Sequence, residues 1–375
     1  MTGSGAEASL RWAEVDVGAL QHNVEQIGAL LVPSTALMAM VKSNGYGHGL
    51  QLAAEGALLG GASWLGVYHA GEAAALRAAG VQTPILVVGA TSAAEKAWLV
   101  GAEVDVTVID PDELPVVASA ARSAGRRARA HLKVDTGLNR LGARPERWGD
   151  LRTMAGAHRA DVAVRGVFTH FADADAPDLA FAEEQHRRFL QAAALLRDVA
   201  PDALLHCAGS AAILRMPHTH HDLVRLGIAM YGYAPPCTEP PPLRVAMTVL
   251  ARVVQVKTVD PGDTVGYGRT WRAVRPARIA TVALGYGQGL RRSLSNGGNV
   301  LIGGARCPIA GIVSMDQIGV DVSHVDGVVP GDEAAVFGER DGARLGADEL
   351  ADLSGTIPHE ILCAVPADLP RVAVR

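Results

Sequence analysis

Several things are scarce in this chain, and each scarcity removes a class of function. Although 49% of the 375 residues are hydrophobic, no apolar run is long and clean enough to span a bilayer, so no membrane partner is expected. Met1 to Glu14 is polar and lacks the apolar stretch of a secretory signal. A net charge of −5 offers little to a phosphate backbone and argues against nucleic acid. The four cysteines, Cys207, Cys237, Cys307 and Cys363, have no metal-type spacing and fit free thiols in a reducing compartment. Beyond a proline cluster at Pro235-Pro236 and Pro240-Pro241-Pro242, there is no low-complexity segment. A cytoplasmic protein is expected, with one large and one smaller domain.

What is present is an alternation. From Thr35 a short apolar strand, a loop and an Ala/Leu-rich helix recur, with strands predicted at Ala36–Val41, Trp64–Tyr68, Pro84–Val88, Val104–Ile109, Ala128–Val134, Ala163–Phe168, Ala203–Cys207 and Leu223–Leu226. Eight such units predict a (β/α)8 TIM-type barrel. An open doubly wound sheet is the alternative, but no glycine-rich dinucleotide turn follows the first strand. After Tyr231-Gly232 helical patterning fades. Ala246–Val259, Ala277–Leu284, Val300–Ile302, Cys307–Val313, Gly319–Val322 and Glu333–Phe337 then read as strands between Gly, Pro and Asp turns. The expected division is a loose tail over 1–8, an α/β barrel over 9–240 and a C-terminal, mostly β domain over 241–375. A strand at Leu10–Val17 is a candidate to join the β domain.

One stretch organises the chemistry: Val41-Lys42-Ser43-Asn44-Gly45-Tyr46-Gly47-His48-Gly49. A lysine closing a buried strand loses water, which lowers its pKa and leaves free amine to attack an aldehyde. The glycines let bare backbone N–H groups approach an anion. Pyridoxal 5′-phosphate offers both an aldehyde and a phosphate. Taken alone, the stretch reads equally well as a lysine snorkelling from a strand end. Other polar residues gather at the predicted strand ends: Lys133 and Arg140 around the fifth, His170 after the sixth, Ser210 after the seventh and Arg225 at the eighth. In a barrel, that rim is where function sits.

The lysine stretch closely resembles the cofactor motif of alanine racemases, and matches continue along nearly the whole chain. The resemblance implies that Lys42 carries pyridoxal 5′-phosphate as an internal aldimine and acts as one of two bases. It implies Tyr46, Ser210, Gly227 and Ile228 as phosphate ligands, and Arg225 facing the pyridine nitrogen. His170 would link that arginine to the catalytic tyrosine. Arg140 would bind the substrate carboxylate, beside Lys133, which is carbamylated in many members. Tyr267, in Val265-Gly266-Tyr267-Gly268, matches the second base, supplied by the partner subunit of a homodimer. Met315 matches a carboxylate-binding residue and Tyr286 an entry gate. Without the resemblance, both tyrosines read as aromatics on a β face. The activity implied is interconversion of L- and D-alanine, supplying D-alanine for peptidoglycan.

Departures from the family pattern bear on substrate choice. Gly209 stands where asparagine is usual, Gly287-Gln288-Gly289 replaces Ala-Asp-Gly, and His359 replaces a phosphate-donating tyrosine. The C-terminus, Leu369-Pro370-Arg371 to Arg375, also lacks the usual Arg-Val-Pro-Arg. A racemase of broader range or of another small amino acid, and a non-catalytic pyridoxal-phosphate-binding protein, are the alternatives. The latter resembles the barrel alone, so the β domain counts against it. A related decarboxylase would need cysteine motifs that are not found. His218, His220, His221 and Asp222 form a metal-like cluster, placed by the strand count on the rim away from the active site. No metal is expected there.

Overall fold

The computed structural model describes residues 9–374, so the tail expected over 1–8 lies outside the described residues. After β1 (Arg11–Asp16), eight strands recur: β2 (Ala36–Met40), β3 (Trp64–Val67), β4 (Ile85–Val87), β5 (Asp105–Val108), β6 (Ala128–Lys133), β7 (Val162–Phe168), β8 (Leu204–His206) and β9 (Leu223–Leu226). They are parallel and hydrogen-bonded in the order β8-β7-β6-β5-β4-β3-β2-β9. Between β8 and β9, Asp222 N donates to Leu205 O at 3.2 Å and Arg225 N to Ala208 O at 2.9 Å, nearly closing the barrel. Each strand begins and ends within one residue of its predicted bounds. The pattern was legible because strands buried on both faces are near-continuous apolar runs, such as Ala36-Leu37-Met38-Ala39-Met40.

The polar exceptions inside those strands are the informative ones. His131 lies within β6 and His206 ends β8, both fully buried. Gly166 on β7 makes room: a Cβ there would come within 2.2 Å of His131 Nδ1. The barrel unit comprises Gln21–Gly45 and Ala53–Leu243.

The second unit takes the chain up to Leu20, Tyr46–Leu52 and everything from Arg244. Its strands are β10 (Met247–Val259), β11 (Thr264–Val265), β12 (Trp271–Arg272), β13 (Ala277–Val282), β14 (Asn299–Ile302), β15 (Ala305–Pro308), β16 (Ile318–Asp321), β17 (Glu333–Arg340), β18 (Ala343–Leu345) and β19 (Arg371–Val374). The long β10 is the spine, pairing with β1, β13 and β17. β1 also pairs in parallel with β19, at the far end of the chain.

One expectation shifts here. The strand predicted over Cys307–Val313 is instead Ala305–Pro308, because Gly303 and Gly304, at φ 57° and 73°, turn the chain tightly back onto β14. The C-terminal domain is mostly β as expected, with two short helices, Ala347–Ser354 and Pro358–Cys363, that no sequence pattern had marked.

Candidate active site

Lys42 does not end its strand. β2 stops at Met40, Val41 N still donates to Gly66 O at 2.9 Å, and Lys42 opens a turn. Ser43, Asn44, Gly45 and Tyr46 all have φ between 50° and 62°, a full left-handed turn closed by Gly45 N donating to Val41 O at 2.8 Å. L-residues pay about 1–2 kcal/mol each for that conformation, so something must hold them.

Glu72 does. Its Oε1 accepts from Ser43 N at 2.6 Å and Asn44 N at 3.4 Å, while Oε2 accepts from Tyr68 N at 2.9 Å and His69 N at 3.2 Å. Sequence reasoning missed this residue. Its only local signal was an acidic side chain in the first turn of helix Ala70–Ala78. On the strand side, Tyr231 Oη donates to Met40 O at 2.9 Å, and Lys42 Nζ lies 5.7 Å from the centre of the Tyr68 ring.

Arg225 is inside the barrel, 5% exposed, within β9 rather than at its surface. Nη1 donates to His206 Nδ1 and His206 O, both at 2.9 Å. Nη2 donates to Thr169 O at 2.6 Å, His170 Nδ1 at 3.1 Å and Cys207 O at 3.1 Å. None of these bonds leaves from Nε. Burial lowers the guanidinium to about 10, still cationic at neutral pH.

Because arginine only donates, these contacts fix the protons on the histidines. His206 Nδ1 must accept, so its proton is on Nε2, which meets His131 Nδ1 at 2.9 Å. His131 then carries its proton on Nε2 and donates to Asp105 Oδ2 at 3.2 Å. Asp105 is anchored in turn by Arg129 Nε at 2.9 Å and Arg165 Nη1 at 3.2 Å. Both histidines are neutral, in keeping with pKa values driven down first by burial. The same logic leaves His170 with a proton on Nε2 alone. Burial, then the charges of Arg225, Arg140, Lys133 and Lys42, hold its pKa well below the usual range.

Lys133, the last residue of β6, is buried with Nζ 5.3 Å from the centre of the Phe168 ring. Burial and the nearby charges of Arg225, Arg140 and Lys42 push its amine down to about 8, only partly offset by Asp135. Arg140 is exposed on the loop that follows, where Asp135 Oδ1 accepts from Gly137 N at 2.9 Å and Asn139 N at 3.1 Å. Ser210 opens helix Ser210–Arg215, and its Oγ accepts from Gly227 N at 3.0 Å and Ala229 N at 3.4 Å. Ile228 is buried at the start of the turn that follows β9.

In the β unit, Tyr46 packs beside His359, with ring centres 5.8 Å apart, and burial raises its phenol pKa. The glycine after Tyr46 is required: a Cβ on Gly47, at φ 84°, would stand 2.1 Å from Leu362 O. Arg371 Nε and Nη2 donate to Gly47 O at 3.0 and 2.8 Å, so the altered C-terminus still supplies an anchoring arginine.

Tyr267, Tyr286 and Met315 are 72%, 43% and 56% exposed. Their loops are clasped together. Tyr286 N donates to Ser314 O at 2.9 Å and Gly287 N to Met315 O at 2.8 Å. Asn296 bridges Thr270 Oγ1 at 2.9 Å and Gly311 N at 2.7 Å.

Residues 15–235 match the family described as alanine racemase, N-terminal domain, and residues 246–373 match alanine racemase, C-terminal domain. The chain belongs to the alanine racemase family. An alanine racemase of Desulfovibrio desulfuricans is 42% identical over 366 residues, covering 97% of this chain and 98% of the relative. Among solved structures, the alanine racemase of Streptomyces coelicolor A3(2) superposes with a TM-score of 0.94 at 37% identity, covering 99% of this chain and 100% of the other. That of Bartonella henselae, solved with covalently bound pyridoxal phosphate, gives 0.85 at 27% identity, covering 98% and 100%. The match over residues 246–373 removes the barrel-only alternative weighed above. Among the described residues, no helix is long and apolar enough to cross a membrane.

Proposed function

We propose that this chain interconverts L- and D-alanine with pyridoxal 5′-phosphate, as a homodimer with shared sites. The observation that carries the reading is convergence: the charges of Lys42, Lys133, Arg140 and Arg225 all bear on the neutral imidazole of His170. Cations brought together from separate strand ends suit two anions, a phosphate and an amino-acid carboxylate. The donors present fit the cofactor. Ser210 Oγ and the N–H groups of Gly227 and Ile228 would hold its phosphate, and Arg225 would turn Nε–H to its pyridine nitrogen. When bound at Lys42, the cofactor supplies the electron sink that acidifies the substrate's Cα–H.

The chain's own groups do the rest. Lys42 takes or returns the proton on one face, and Tyr267 of a second copy does so on the other. His170, holding its proton on Nε2, would donate to that tyrosine oxygen and support its charged form. Arg225 adds a fixed donor instead of an acid, because a guanidinium keeps its proton at working pH. Arg140 binds the substrate carboxylate with the Met315 N–H of the second copy, and Tyr286 narrows the entry. A carbamylated Lys133 would turn a like charge beside Arg140 into a partner. The 72% exposure of Tyr267 supports its action across a dimer. D-alanine for peptidoglycan is the corresponding product.

Two measurements test the proposal. Borohydride reduction and peptide mapping should place a pyridoxyl group on Lys42, and a label on any other lysine overturns that assignment. Chiral analysis of a panel of L-amino acids should show alanine racemised fastest. A racemase of broader range is the second reading, favoured by Gln288, whose Nε2 donates to Asp316 Oδ1 at 3.0 Å beside Met315.

A further inference from the structure

The loop entering β9 carries His218, His220 and His221, and along the chain it offers donors from one side only. Folding brings helix Ala180–Leu196 against it. Glu183 and His186 are one helical turn apart on that helix and meet His218 and His221. His218 Nε2 is 3.1 Å from Glu183 Oε2, and His186 Nε2 is 2.8 Å from His221 Nε2. Donor atoms of Glu183, His186 and His218 lie within 4.8 Å of one another, and so do those of His186, Cys207 and His221. His186 belongs to both groups. His220 turns aside, with Nε2 2.9 Å from Ile213 O.

We propose that Glu183, His186 and His218 form a binding site for one divalent transition-metal ion of the zinc class, with water in the fourth position and His221 hydrogen-bonded to His186, which would tie the helix to the loop. No role in racemisation uses these residues. A tetrahedral ion bound at about 2.0–2.1 Å needs donors roughly 3.3 Å apart; Glu183 and His218 are already 3.1 Å apart, and His186 completes the group with all donor atoms within 4.8 Å of one another. His221 keeps a left-handed backbone, φ 46°, that a β-carbon disfavours. Thr35 Oγ1 fixes that conformation by donating to His221 O at 2.7 Å. Cys207 stays outside the set. Its thiol already donates to Thr219 O at 3.3 Å.

The probe is Co2+ titrated into the full-length, cofactor-loaded protein after chelator treatment. The expected result is one Co2+ per chain, with d–d absorption of tetrahedral intensity and no thiolate charge-transfer band. His186→Ala should weaken binding at least about 100-fold, beyond what a neighbour of a ligand contributes. Should that buried change unfold the chain, the exposed His218→Ala serves, with loss of the tetrahedral bands expected. Failure to bind stoichiometrically overturns the site. So does a spectrum that His186→Ala and His218→Ala leave unchanged, or a thiolate band lost in Cys207→Ser.

Discussion

In the barrel unit, Arg225 is 5% exposed and held by donations to three backbone carbonyls and two imidazoles. In the β unit, Tyr267 is 72% exposed and Met315 56%, carried on loops that are clasped to one another and to the segment at Ser295-Asn296. The barrel groups are oriented before anything binds, because every neighbour of the guanidinium is fixed and every tautomer follows from it. The β-unit groups are presented outward, as they would be if their counterpart were a second copy of the chain. The contrast shows that a buried charge network fixes the orientation of its own groups within one chain, while exposed groups such as Tyr267 and Met315 are left open to whatever meets them.

The contrast can be broken most forcefully at Tyr267. Tyr267→Phe should lower racemisation about 10²–10⁴-fold, the usual worth of a general acid–base group. Mixing its subunits with Lys42→Ala subunits should restore activity in heterodimers, where one site carries both native residues. Demonstrated exchange without recovery would place Tyr267 outside a shared site.

Lys133 tests the barrel side. Its amine is pushed down to about 8, and only the neutral form reacts with carbon dioxide, so carbamate should grow as pH rises through about 8 and fade below it. Carbon-13 NMR with labelled bicarbonate reads this directly, and Lys133→Arg should show no signal. Lys133→Ala should raise the KM for alanine roughly tenfold, as a charge-assisted contact to Arg140 is worth about 1–3 kcal/mol.

Glu72 asks how much the left-handed turn depends on its brace. Glu72→Gln keeps one acceptor oxygen and loses the other, leaving backbone N–H groups of Ser43–Asn44 or Tyr68–His69 unsatisfied. Cofactor affinity should fall by roughly three- to tenfold, measured as a dissociation constant. Unchanged affinity and melting temperature would show that the turn holds without it. Gly209→Asn, restoring the common family residue, should change kcat/KM by less than about threefold. Its Cβ would meet His170 Cε1 at 3.5 Å, an ordinary contact.

The barrel was legible because strands buried on both faces leave unbroken apolar runs, and the lysine stretch because its glycines and lysine are adjacent in sequence. Strand-end residues such as Lys133, His170 and Ser210 could be placed once the strands were counted. The chain alone therefore carried the eight-unit barrel and candidates such as Lys42, Lys133 and Arg225. How those groups are wired came from folding. Asp105, His131, His206 and Arg225 come from strands far apart in the chain, and no local pattern says that one arginine's donors will dictate two tautomers. Glu72 gathers N–H groups from two loops, and β1 pairs with β19 from the opposite end of the chain. Hydrogen bonds depend on distance in space, while sequence patterns report only periodicity and burial. The charge state of a buried group is therefore settled only when its neighbours arrive.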